Sequence, residues 1–117
     1  MTTRHCLVPD LKDDPALIAR YDAHHRQVWP EVLAHIHEAG VEDMTIWRYG
    51  DRLVMLLETG PDFSFAHMAA MEVDNPRVQE WEKLMWAFQR ALPDAPEGSK
   101  WQAAARIFQL SKAMELD

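Results

Sequence analysis

Between Met44 and Thr59 two apolar and aromatic runs, MTIWRY and RLVMLLET, are separated only by Gly50 and Asp51. Glycine takes the positive φ that a two-residue turn requires, so the chain is predicted to double back here as a β-hairpin. The residues around it read as helices and one further strand. From Pro15, behind Asp13 and Asp14, apolar side chains recur at Leu17, Ile18, Tyr21, Val28, Val32, Ile36 and Ala39, a helical spacing that Gly40 stops. Asp74, Asn75 and Pro76 form a helix start, and the stripe Val78, Trp81, Met85, Phe88 and Leu92 predicts about four turns ending near Pro93. A short helix is expected in DFSFAHMAAM, and a strand over residues 4–8, closed by Pro9 and Asp10.

After the loop PDAPEGS, the tail WQAAARIFQLSKAMELD reads two ways: its alanines favour helix, whereas RIFQL suits an edge strand. The chain beyond Leu110 need not be ordered. No repeat or linker divides the sequence, so residues 1–117 are read as one domain. Strand, helix, hairpin, helices and a final strand is the order of a split βαβ unit, a ferredoxin-like α+β sandwich. One face of such a sheet is left without helices. TIW beside LVMLL is too apolar to stay wet, so a homodimer packed sheet against sheet, a dimeric α/β barrel, is expected.

Composition narrows the function. The formal net charge of -7 repels nucleic acid and anionic membrane, and leaves a small uncharged or cationic ligand as the expected partner. The single cysteine, Cys6, can build neither a disulfide nor a zinc site, and the run LVMLL is too short to span a bilayer, so a reducing cytoplasm is the expected location. Four glycines contain no G-x-G-x-x-G or Walker loop, so a nucleotide cofactor has no cradle.

The stretch YDAHHRQVWPE, residues 21–31, places two histidines in a helical pattern and then interrupts it with Pro30. His25 shares a helix face with Ile18, Tyr21, Val28 and Val32 and points inward, whereas His24 lies about 100° away towards the rim. Pro30 removes a backbone donor, so the helix is expected to kink or restart there and open space beside the buried face. His25 is then either a core histidine satisfied by one backbone contact or a functional imidazole. Tyr21 one turn before it and Trp29 one turn after it can line one cleft with it, and imidazole both gives and accepts protons near neutral pH.

A metal site is not expected. His24 and His35 would be about 16 Å apart on an unbroken helix, and His35 and His37 do not face each other. Trp81 on its helix stripe reads first as core, yet an indole face with a carboxylate beside it, here Glu82, is also what binds a sugar.

Tyr21, His25, Trp29, Pro30 and Glu31, the hairpin IWRYGDRLVMLLE, and NPRVQEWEKLMWAFQRALP followed by RIFQL together resemble the L-rhamnose mutarotase family over nearly the whole chain. The resemblance implies a ferredoxin-like fold dimerised through its sheets, with RIFQL as last strand. It further implies cofactor-free interconversion of the α and β anomers of an L-sugar. His25 would be the proton donor, Tyr21 a sugar contact and Trp81 a stacking wall. Met44 and Glu82 stand where rhamnose enzymes carry a Tyr and a second Trp, which moves hydrogen-bonding capacity around the ring; EWEKLMW looks more like the family's fucose-acting members, so the resemblance implies L-fucose ahead of L-rhamnose. Glu82 or a water would serve as base. Two other readings use the same residues: a cofactor-independent monooxygenase acting on an aromatic substrate, and a sugar-binding module without catalysis.

Overall fold

The computed structural model describes residues 2–114. Its elements run β1 (Thr3–Val8), β2 (Asp10–Leu11), α1 (Pro15–His24), α2 (Pro30–Glu38), β3 (Val41–Tyr49), β4 (Arg52–Thr59), α3 (Phe65–Val73), α4 (Pro76–Trp86), β5 (Gln89–Arg90), β6 (Gln102–Ala103) and α5 (Leu110–Met114). The strands form one antiparallel sheet in the order β5-β2-β4-β1-β6, with β3 paired to β4. Helices cover one face, and the result is an α+β sandwich of ferredoxin-like type.

The hairpin forms as read from the sequence. Tyr49 pairs with Arg52 across the two-residue turn, and Gly50 sits at φ +59°, the region open to glycine at no steric cost. On β4 burial alternates, so Leu53, Met55, Leu57 and Thr59 face the helices while Leu56 looks out on the uncovered side. Register then fixes β3: Met44 and Ile46, opposite Leu57 and Met55, share the covered face, whereas Trp47, opposite Val54, lies on the other.

Between Pro15 and Ala39 the chain forms two helices. Pro30 opens α2 at its first position, as expected, but the break begins five residues upstream at His25. Proline excludes the α conformation from the residue before it, and Trp29 accordingly lies at φ -60°, ψ 136°. The end of α1 tightens into i−3 bonds, from His25 to the Asp22 carbonyl, from Arg26 to Ala23 and from Gln27 to His24. At the other end of α1 the Asp14 carboxylate caps the amides of Ala16 and Leu17. Arg48, reaching over from β3, holds the Asp22 carboxylate with two hydrogen bonds of 2.9 and 2.6 Å and so ties α1 to the hairpin.

Asn75 caps α4 through the amide of Val78, and Pro76 occupies its first position. The helix is shorter than its apolar stripe suggests and ends at Trp86. Phe88, fully buried, continues the stripe from a turn, and Gln89–Arg90 leave helical geometry to pair with Leu11 and Asp10. An edge ladder to β2 competes successfully with the fourth turn. The last strand is also displaced: it is Gln102–Ala103, opposite Val8 and Leu7, not RIFQL. Residues 104–109 belong to no element and expose Ile107 (95%) and Phe108 (68%), and α5 follows from Leu110. Met1 and the last three residues of the tail, including the end of the domain read as 1–117, lie outside the described residues. No helix among the described residues is long and apolar enough to cross a membrane.

Candidate functional site

Between the covered face of the sheet and helices α1, α2 and α4 lies a cavity of about 710 Å³, ample for a monosaccharide. Met44, Ile46, Met55 and Leu57 give it an apolar floor from the sheet. Among its polar groups are Tyr21 and His25 at the end of α1, His35 on α2, Glu72 on α3, Glu82 on α4, Gln89 on β5 and Lys100 from the loop that follows.

His25 occupies the C-cap of α1, so the break that Pro30 imposes is also what frees this imidazole from the helix wall. Its Nδ1 lies 2.9 Å from the Tyr21 carbonyl oxygen. A carbonyl only accepts, so Nδ1 carries the hydrogen and the neutral ring keeps its lone pair on Nε2. Burial holds the His25 imidazole below its ordinary pKa, against the Tyr21 carbonyl hydrogen bond, which favours the charged form; His24 pushes it down further and Asp22 up. The ring packs 4.3 Å from Tyr21 and edge-on to Trp81 at 5.7 Å, centroid to centroid.

Tyr21 is buried, and its hydroxyl accepts a hydrogen bond of 3.2 Å from Gln89 Nε2. Burial pushes the phenol up to about 12, with Gln89 opposing and Glu82 and Asp22 adding to the rise. Trp81 belongs to the buried core, as its helix stripe suggests, and one part of it also lines the cavity. Trp29 is different. The cavity wall does not include it; its indole stands 5.1 Å behind Trp81, with the Arg77 guanidinium stacked 3.7 Å from its ring centre. Placing Trp29 in the cleft assumed a continuous helix from Tyr21, and the break turns it to the outer side of Trp81, where it braces the wall.

Met44 is half-buried at the cavity floor. Glu82 also lines the cavity, held by Lys100, whose Nζ donates to Oε2 at 2.7 Å. Lys100 is only 7% exposed, packs over Trp86 and is tethered at the end of the long loop. Glu72 completes this acidic corner, raised above the usual carboxylate range first by burial and then by Glu82, against the pull of Lys100. His35 is buried, and burial lowers its pKa while Glu38 and Glu82 oppose.

Sequence reading brought Tyr21, His25, Met44, Trp81 and Glu82 to this wall. It missed Gln89, Lys100, Glu72 and His35. His35 was within reach, since its spacing from Val32, Ile36 and Ala39 puts it on the inner face of α2. Gln89 was hidden by the fourth turn assigned to α4, and nothing local to Lys100 signals that a loop will carry it inward. Among the described residues no group of three or more His, Cys, Asp or Glu could hold a metal ion.

Comparison with known proteins places this chain in a family. The family model described as L-rhamnose mutarotase matches residues 4–110. An L-fucose mutarotase of Xanthomonas campestris pv. campestris is 51% identical over 97% of this chain and 92% of its own length. An L-rhamnose mutarotase of Acidiphilium cryptum is 29% identical over 70% of this chain and 77% of its own. The crystal structure of an L-rhamnose mutarotase from Formosa agariphila superposes with a TM-score of 0.66 at 19% identity, covering 92% of this chain and 97% of that one, and so agrees in fold. The chain belongs to the L-rhamnose mutarotase family.

Proposed function

We propose that this chain, a sugar mutarotase and hence an isomerase by its family, interconverts the α and β anomers of a 6-deoxy-L-hexose and takes L-fucose in preference to L-rhamnose. The observation that carries the mechanism is His25: one nitrogen tied to the Tyr21 carbonyl, the other without a hydrogen-bond partner among the described residues, in a cavity walled by an indole. The two oxygens on an anomeric carbon are geminal, so one nitrogen can reach both. Neutral His25 takes the proton of the anomeric hydroxyl through Nε2 and gives it to the ring oxygen as the C1–O5 bond breaks. The open aldehyde turns about C1–C2, and the ring closes on the other carbonyl face with the transfers reversed. The proton-donor role implied by resemblance is thus the second half of one relay. The relay moves protons while one C–O bond breaks and reforms, with no change of oxidation state.

Tyr21 donates to a sugar oxygen, Trp81 stacks on ring C–H groups, and Met44 bounds the floor. Glu82, oriented by Lys100, accepts from a sugar hydroxyl; an acceptor in place of an indole supports L-fucose, as does the name of the 51% identical relative. Trp29 supports Trp81 from behind. The family assignment leaves the monooxygenase and the binding module without support.

The active form is inferred to be a homodimer. Trp47 (62% exposed) and Leu56 (44%) make the uncovered sheet face apolar, with Tyr49 at its edge, and a second copy is the cover that buries both faces at once. The acidic surface argues against nucleic acid or membrane as partners, and the unpaired Cys6 favours a reducing cytoplasm. Polarimetry of freshly dissolved α-L-fucose, L-rhamnose and D-galactose tests the substrate: we expect the largest acceleration with L-fucose, and L-rhamnose ahead of L-fucose would contradict the role given to Glu82.

A further inference from the structure

Gln89 is a wall residue whose side-chain oxygen is left over. It lies on β5, where pairing with Leu11 and the flanking bond from the Lys12 amide to the Phe88 carbonyl (2.8 Å) fix its backbone. The side chain is 3% exposed and lines the cavity. Its Nε2 donates to the Tyr21 hydroxyl, while Oε1 is buried with no hydrogen-bond partner among the described residues. A buried amide oxygen without a donor is costly, and a leucine would pack the same wall without that cost. An amide kept here implies that something else meets the oxygen.

The geometry states what that is. Because the Tyr21 oxygen accepts from Nε2, its own hydrogen is directed elsewhere; Tyr21 and Gln89, both on the cavity wall, therefore hold one uncommitted donor and one unpartnered acceptor between them. Neighbouring hydroxyls of a polyol satisfy both, whereas an aromatic edge satisfies neither. Burial keeps the phenol protonated throughout the working pH range, so the donor persists. We propose that Gln89 is a sugar-binding residue: one end of its carboxamide holds the Tyr21 hydroxyl, and the other accepts a proton from a hydroxyl of the bound monosaccharide. The identity of the ligand rests on the mutarotase reading above.

Trp81 lines the cavity, so tryptophan fluorescence reads binding without turnover. Wild type, Gln89→Leu, Tyr21→Phe and the double variant are titrated with L-fucose and with four analogues, each lacking the hydroxyl at C1, C2, C3 or C4. Gln89→Leu is expected to weaken L-fucose binding by roughly 3–10-fold. One analogue should show the same loss with wild type and no further loss with Gln89→Leu, and the L-fucose loss should persist in the Tyr21→Phe background. Equal losses on all five sugars, disappearance of the loss in that background, or no binding of any sugar by wild type would each overturn the assignment. Gln89→Met, which keeps length and removes both hydrogen-bonding ends, replaces Gln89→Leu if the latter does not fold. A failure of the mutarotase reading is visible separately, as unchanged anomer exchange by a wild-type protein that still binds.

Discussion

At the scale of single residues the account turns on which form of His25 starts the reaction. Burial favours the neutral imidazole, and the Tyr21 carbonyl fixes the proton on Nδ1, so Nε2 begins as an acceptor. Protonation removes that acceptor. The rate should therefore fall as pH drops through the His25 pKa, which lies below the ordinary value of about 6.5, and stay level above it, because Tyr21 at about 12 does not titrate in the working range. Anomer exchange measured between pH 4.5 and 9 checks this. A rate that instead declines as pH rises through 6 would mean that the imidazolium is the starting form. Acidification also acts on the fold: His25 and His35 both bind protons less readily when folded, so the unfolded chain takes up more protons and stability decreases as pH falls below about 6.5.

Among the elements, the sequence was readable where local chemistry and tertiary packing agree. The Gly50 turn, the Asp14 and Asn75 caps and the Ser64–Val73 region each carry their own stop or start signal, and each element formed there. It was misread where a partner distant in sequence decides. Gln89 and Arg90 leave the helical pattern because Leu11 and Asp10, nearly eighty residues earlier, offer them a ladder. RIFQL has strand composition but pairs with no strand among the described residues, and β6 forms at Gln102–Ala103 because β1 lies there. The same division holds at the site. His25 and Tyr21 are one turn apart and legible as a pair; Gln89 and Lys100 reach the cavity only through the fold. Pro30 announced a break, but its effect on Trp29 moved the break upstream and removed that indole from the wall.

For the molecule as a whole, the uncovered sheet face predicts association. Sedimentation should find a dimer, and Trp47→Glu combined with Leu56→Arg, which add charge on that face and leave the cavity residues untouched, should yield monomers. A monomeric wild type at micromolar concentration would contradict the sheet-to-sheet arrangement.

Saturation-transfer NMR on equilibrated L-fucose, following exchange between its two anomeric protons, is the most direct test of the central claim. Wild-type protein should accelerate the exchange, and His25→Asn should lower the catalysed rate by roughly 10²–10⁴-fold. A variant within a few-fold of wild type would take the proton relay away from His25.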